Sequence, residues 1–235
     1  MAKFIVIDGL DGCGKATQTE MLRAELEKRG KKVVKISFPK YDSDSSAPVK
    51  MYLGGKLGDD PELLNPYMCG SFYAVDRFIQ YVTDWKKYFD EDDDTIIIAD
   101  RYLSANIIHQ GSKIKDRTER YKYIKWCYEF ECGLCGLPKE DLTIILTVEP
   151  EVSQKLMTKR YNGNEEKKDI HEADISYLNN CYNTLNETID IIKHNNIADW
   201  IHIDCTEYGP DNYMNIQSVD YVHEKIMFYI NKLLD

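Results

Sequence analysis

Residues 8–18 read DGLDGCGKATQ, directly after the apolar run KFIVI at 3–7. The pattern G-x-x-x-x-G-K runs from Gly9 to Lys15. Upstream, KFIVID (3–8) reads as a buried strand from its bulk and its sharp polar boundary. Downstream, residues 14–29 read as a helix with Leu22 and Leu26 on one face and Gly30 as its stop. Glycines at a strand-to-helix junction let backbone N–H groups close around phosphate at the positive end of the helix. Gly9, Leu10, Asp11, Gly12, Cys13, Gly14, Lys15, Ala16 and Thr17 are therefore expected to form a phosphate-binding loop, with Lys15 reaching the outer phosphates. Serine or threonine normally follows the lysine and holds magnesium. Here Ala16 stands in its place, and Thr17 is turned by roughly 100° along the helix.

The same strand-then-helix rhythm continues. KKVVKIS (31–37), TIIIAD (95–100), LTIILTV (142–148) and WIHIDC (200–205) are further short apolar runs. Two late helices show in the spacing of Leu178, Tyr182, Leu185, Ile189 and Ile192, and of Val219, Val222, Ile226, Ile230 and Leu233. Five apolar strands separated by helices predict an α/β fold, a parallel sheet covered on both faces. Ligands of such sheets bind at the carboxyl ends of the strands. With no internal repeat or linker, residues 1–235 read as one domain. The acidic run Asp90–Asp94 reads as a solvated turn.

Of 235 residues, 30 are basic and 40 acidic, giving a net charge of −10. Such a surface repels nucleic acid and anionic membrane, so bound phosphate should be small and held in a local basic pocket. No apolar run approaches the ~20 residues of a membrane span, and the N-terminus lacks a signal-peptide pattern. The seven cysteines are scattered. Cys127, Cys132 and Cys135 lack a fourth ligand at zinc spacing, so reduced thiols in a cytoplasmic protein are expected.

Four further stretches place polar groups where strands or loops end: FPKY (38–41), FYAVDRF (72–78), DRYLSANIIHQG (100–111) and KRYNGNEEKKDIHE (159–172). Together with the loop, and in the same chain order, they resemble the thymidylate kinase family. The resemblance runs from the first residues to about Glu172. It implies the nucleoside monophosphate kinase form of the P-loop NTPase fold: a five-stranded parallel sheet flanked by helices, with a lid over approximately 156–170. It also implies transfer of the γ-phosphoryl group of ATP to thymidine monophosphate (dTMP), giving dTDP and ADP, with magnesium accompanying ATP, and a homodimer formed through helices.

Matched positions imply the residue roles. Arg101 would clamp the acceptor phosphate, helped by Lys40 and Tyr41. Tyr73 would stack on thymine, and Arg77, one helical turn on, would donate to its O4; residues four apart share a helix face. Asn106 would pair with the base N3–H, and Gln110 would line the same pocket. Asp11 would sit near the sugar and acceptor phosphate. Asp169 and Glu172 match an acidic pair after the lid, where acids also favour a helix start. Since Ala16 offers no hydroxyl, magnesium should be held mainly by ATP oxygens and water, with Asp11, Asp100 and Glu172 contributing indirectly.

The sequence departs from the family at several points. Gly12 occupies a position where some members carry an arginine, which places this chain with those that carry it in the lid. Arg160 is the expected cation over the transferring phosphoryl, with Lys155 the lesser candidate. Ala105 replaces a frequent serine, and His109 stands where an aromatic residue lies near the sugar. These substitutions leave a kinase of another nucleoside monophosphate, such as dUMP, or one of broader specificity, as the alternative. A regulatory P-loop ATPase is the more distant one.

Overall fold

Strand β1 (Lys3–Gly9) lies at the centre of a five-stranded parallel sheet in the order β2-β3-β1-β4-β5. The other strands are β2 (Val33–Ser37), β3 (Ile96–Asp100), β4 (Leu142–Thr147) and β5 (Trp200–Asp204). All five expected strands form, and neighbours pair parallel throughout. This computed structural model describes residues 2–90, 94–160, 169–210 and 213–235. Most of the Asp90–Asp94 run and of the lid therefore lies outside the described residues.

Period-two alternation along β1 sends Phe4 and Val6 to one core and Ile5 and Ile7 to another. The first core is closed by α3 (Pro66–Gln80), α5 (Leu103–His109), α6 (Arg117–Tyr128) and α9 (Ile175–His194). The second is closed by α1 (Lys15–Lys28) and α10 (Val219–Leu234), through Leu22, Leu26, Val222 and Ile226. Shorter helices α2 (Ala47–Leu53), α4 (Lys87–Asp90), α7 (Pro150–Arg160) and α8 (Ile170–Ala173) complete the set. Helices α3 and α6 each run on into a π-helical turn, Tyr81–Trp85 and Glu129–Leu134. A two-stranded hairpin, β6 (Thr206–Tyr208) with β7 (Met214–Ile216), follows β5 and was not anticipated.

Three devices place the site at the carboxyl edge of the sheet. The chain reverses its course across the sheet at β1, so helices leave from both faces and a crevice opens there. Gly9 ends β1 at φ 135°, where an added Cβ would lie 1.8 Å from the Leu146 carbonyl oxygen of β4. Arg101, just past β3, adopts φ 68°, in the left-handed region. That costs a non-glycine residue about 1 kcal/mol. Three bonds hold it there. The Arg101 N–H donates to the Ile7 carbonyl (3.1 Å), and Asp8 accepts from the Tyr102 N–H (3.4 Å) and the Ser104 hydroxyl (2.5 Å).

Gly9→Ala combines the forbidden φ with a backbone collision, and destabilisation of about 3 kcal/mol or more is expected. A thermal melt within a few degrees of the parent would refute the close approach of β1 and β4 at this point.

Candidate active site

The phosphate-binding loop forms as expected between β1 and α1. Gly12 and Gly14 take φ 76° and 89°. Gly14 is the N-cap of α1 in a left-handed conformation, with no side chain capping the first turn. Nothing lies within 4 Å of a Cβ built there, and the N–H groups of a helix's first turn have no intrahelical partner. Gly12 packs against Ser153 of α7, whose hydroxyl donates to the Asp11 carbonyl (2.6 Å). Lys15 is buried and folds back over the loop, with Nζ 2.6 Å from the Leu10 carbonyl and 3.7 Å from Asp11 Oδ1.

Beside the loop lies a cavity of about 620 Å³. Arg101 stands at its mouth with about a quarter of its side chain exposed, and Nη2 is paired with Asp11 Oδ1. Burial alone would raise the Asp11 pKa. Arg101 and Lys15 outweigh it and hold the carboxyl well below the usual carboxylate range. Asp11 is therefore ionised at neutral pH and shared between two cations. Arg101 Nη1 also reaches His109 Nε2 at 3.2 Å. Burial, with Arg101 second, lowers the His109 pKa to about 3. The ring is neutral, and since Nε2 accepts from Arg101, its proton sits on Nδ1.

Tyr41, Tyr73, Arg77, Asn106 and Gln110 all line the cavity, together with Ala105, Asp100, Asp169 and Glu172. The structure thus gathers the expected acceptor-site residues, with one exception. Lys40 is not among the lining residues: its half-exposed side chain points to Asp42 (3.7 Å). Its backbone N–H is fixed by Asp76 (2.9 Å), which leaves the flexible ammonium to take the nearest acid in solvent. Asp169 combines its two readings. It caps α8 by accepting from the His171 and Glu172 N–H groups (2.9 Å each), and it faces the cavity, where burial lifts its pKa to about 6.

No group of three or more His, Cys, Asp or Glu side chains among the described residues is arranged to hold a metal ion. Neither Asp11, Asp100 and Glu172 nor Cys127, Cys132 and Cys135 form such a group. Arg160 ends α7, but its side chain and residues 161–168 lie outside the described residues; Lys155 on α7 is exposed.

Several contributors escaped the sequence. Asp76 orders the FPKY loop, accepting from Lys40 N–H and the Ser45 hydroxyl. His171 stacks on His109 with centroids 5.7 Å apart, and its Nε2 lies 2.7 Å from the Tyr52 hydroxyl. Glu131 pairs with Arg77 inside the fold. Asp76 and His171 fall within the quoted stretches FYAVDRF and KRYNGNEEKKDIHE, but nothing in either names their partners, and Glu131 gave only an acid beside aromatic residues.

The sequence model of the family described as Thymidylate kinase matches residues 7–201. The chain belongs to the thymidylate kinase family. Relatives include a thymidylate kinase of Mycobacterium tuberculosis, 27% identical over 152 residues, covering 63% of this chain and 67% of that protein. A probable thymidylate kinase of Methanosphaera stadtmanae is 32% identical over 152 residues, covering 65% and 70%. In fold, the chain is similar to the thymidylate kinase of Candida albicans, with a TM-score of 0.67, 19% identity and coverage of 100% of this chain and 94% of that one. The members are kinases, and a phosphate loop beside a cavity lined by Arg101 suits a thymidylate kinase's need to hold two nucleotides end to end.

The buried neutral histidine has a consequence for stability. Unfolded His109 titrates near 6.5, whereas the folded ring stays neutral to about pH 3. Unfolding takes up a proton between those values, so stability falls as pH drops below about 6.5, by about 1.4 kcal/mol per pH unit. Asp169 acts with opposite sign between 3.8 and 6. Relative to the parent, His109→Asn should flatten the slope of urea-unfolding stability between pH 6.5 and 5 by about that amount. An unchanged slope would refute the neutral assignment.

Proposed function

We propose that the chain transfers the γ-phosphoryl group of ATP to dTMP, with ATP on the loop Gly9–Thr17 and dTMP in the 620 Å³ cavity. The observation that carries this reading is Arg101, a guanidinium held at the junction of loop and cavity by Asp11. The acceptor is itself a phosphate with a second pKa near ~6. It is already an oxyanion at neutral pH and needs no general base. The work left to the protein is positioning two polyanions and neutralising the charge between them.

In this reading Arg101 grips the acceptor phosphate, Lys15 exchanges the Leu10 carbonyl for the outer phosphates of ATP, and Arg160 covers the transferring group. Tyr73 stacks on the base, Arg77 and Asn106 read its edge, and His109 and Gln110 close the pocket wall. Magnesium would accompany ATP. With Ala16 lacking a hydroxyl and Asp11 paired to two cations, phosphate oxygens and water would supply most of its ligands, in keeping with the ion's reluctance to dehydrate. Asp11, Asp100 and Glu172 would contribute through water. We read residues 1–235 as one kinase domain with its lid over about 156–170.

A homodimer is part of the proposal. Met68, Val75 and Val82 recur every seven residues along α3 and its continuation, each close to half exposed or more, with Phe78 and Ile79 beside them. An apolar stripe of that length on a helix suits a matching helix from a second copy. No helix among the described residues is long and apolar enough to cross a membrane. The seven free cysteines suit the reducing cytoplasm.

The decisive experiment is a coupled assay of ADP release with dTMP, dUMP, deoxycytidylate or no acceptor. Release dependent on dTMP is expected; slow release independent of any acceptor would overturn the reading. Arg101→Ala should lower kcat/KM for dTMP by about 100-fold or more while leaving ATP binding within a few-fold. Normal turnover in that variant would remove the clamp. Val75→Glu should shift the sedimentation coefficient from dimer to monomer, and a parent that already sediments as a monomer would refute the dimer.

A further inference from the structure

Glu131 lies 54 residues from Arg77 in sequence, in the π-helical turn after α6. Both side chains are about 1% exposed. Arg77 Nε donates to Glu131 Oε2 at 2.6 Å and Nη2 to Oε1 at 2.7 Å, a two-pronged pair, while Nη1 donates to the Tyr102 carbonyl at 3.3 Å. The same Oε1 accepts from Asn106 Nδ2 at 3.3 Å, and Nδ2 also donates to the Gly70 carbonyl at 3.0 Å. One carboxylate thus grips two of the residues that line the cavity, without itself lining it.

This arrangement removes a choice that an asparagine normally has. Its amide can be turned round to exchange oxygen for nitrogen, but a carboxylate and a carbonyl only accept. Nδ2 must face them, so Oδ1 faces away as an acceptor. Arg77 has spent three of its five N–H groups, and one remains on each terminal nitrogen. Arg77 thus keeps donors and Asn106 an acceptor, and both residues line the cavity. The imide edge of thymine or uracil, a carbonyl beside an N–H, complements that pair. Cytosine presents an amino group and a bare ring nitrogen at the same places and mismatches at both.

We infer that Glu131 is the specificity-determining positioning residue of the acceptor site: it fixes Arg77 as donor and Asn106 as acceptor, so the enzyme takes imide pyrimidine monophosphates and refuses aminopyrimidine ones. The inference rests on the kinase reading above. Gly70 serves the same end, because a Cβ there would lie 2.8 Å from the Tyr123 hydroxyl and 3.6 Å from Asn106 Nδ2.

The test compares kcat/KM for dTMP with that for deoxycytidylate in the parent, Glu131→Gln and Glu131→Asp, alongside the KM for ATP and a thermal melt. Glutamine keeps the shape but turns an N–H toward donors, and aspartate withdraws the carboxylate by one methylene. Glu131→Gln should lower the dTMP-to-deoxycytidylate ratio by about tenfold or more with the ATP KM within about twofold; Glu131→Asp should lower it less. Parallel loss for both acceptors with an unchanged ratio overturns the inference, since that is what a merely structural pair would do. If Glu131→Gln fails to melt cooperatively, Glu131→Asp decides, and a ratio within about twofold of the parent overturns it. A parent that accepts deoxycytidylate as well as dTMP also overturns it. A parent that phosphorylates neither fails the kinase reading instead, independently of Glu131.

Discussion

The contact between Arg101 and Asp11 organises this molecule. A guanidinium at the tip of a buried sheet needs a counter-charge, or its desolvation would be prohibitive. Asp11 supplies one from the phosphate loop itself, so the loop and the cation beside the cavity share one carboxylate. The left-handed backbone at Arg101, braced by Ile7 and Asp8, aims the side chain back over the sheet edge toward that loop. Because Lys15 leans on the same carboxylate, the two cations are brought near each other without meeting unshielded.

Two arginines with similar sequence surroundings have different fates, and solvent access explains the difference. Arg101 keeps about a quarter of its side chain open and a partner it can share with incoming phosphate. Arg77 is sealed against Glu131, and removing either partner would leave an uncompensated buried charge. The first suits an acceptor of charge that arrives and leaves with each turnover. The second suits a fixed template whose donors must stay put. Preorganisation of that kind lowers the cost of ordering groups when ligand binds.

Much of this could be read along the chain. Runs of β-branched residues of the right length located all five strands, and the glycine register after the first identified the loop. Tyr73, Arg77, Asn106 and Arg101 were picked out because the stretches that hold them resemble the family's motifs; for Tyr73 and Arg77 the four-residue helical spacing pointed the same way. Glu131, Asp8, Asp76 and His171 were not. Each acts through a partner dozens of residues away, and a lone acid or histidine in an apolar pattern carries no record of what it meets. The π-helical turns were equally silent, because each is a single turn of five or six residues, too short to show a period of its own. The hairpin after β5 is two strands of three residues each, too short for alternation to register.

By itself the sequence determined the parallel sheet and the phosphate loop at its edge, because periodicity and local turn chemistry are properties of consecutive residues, and the resemblance of its short motifs pointed to the family. Only the tertiary structure decided which charges are spent and which are available. Lys40 faces solvent, Arg77 is locked to a buried acid, and Asn106 has its amide turned one way. Hydrogen-bond donors and acceptors are allotted by proximity in space, and proximity is what the chain order does not contain.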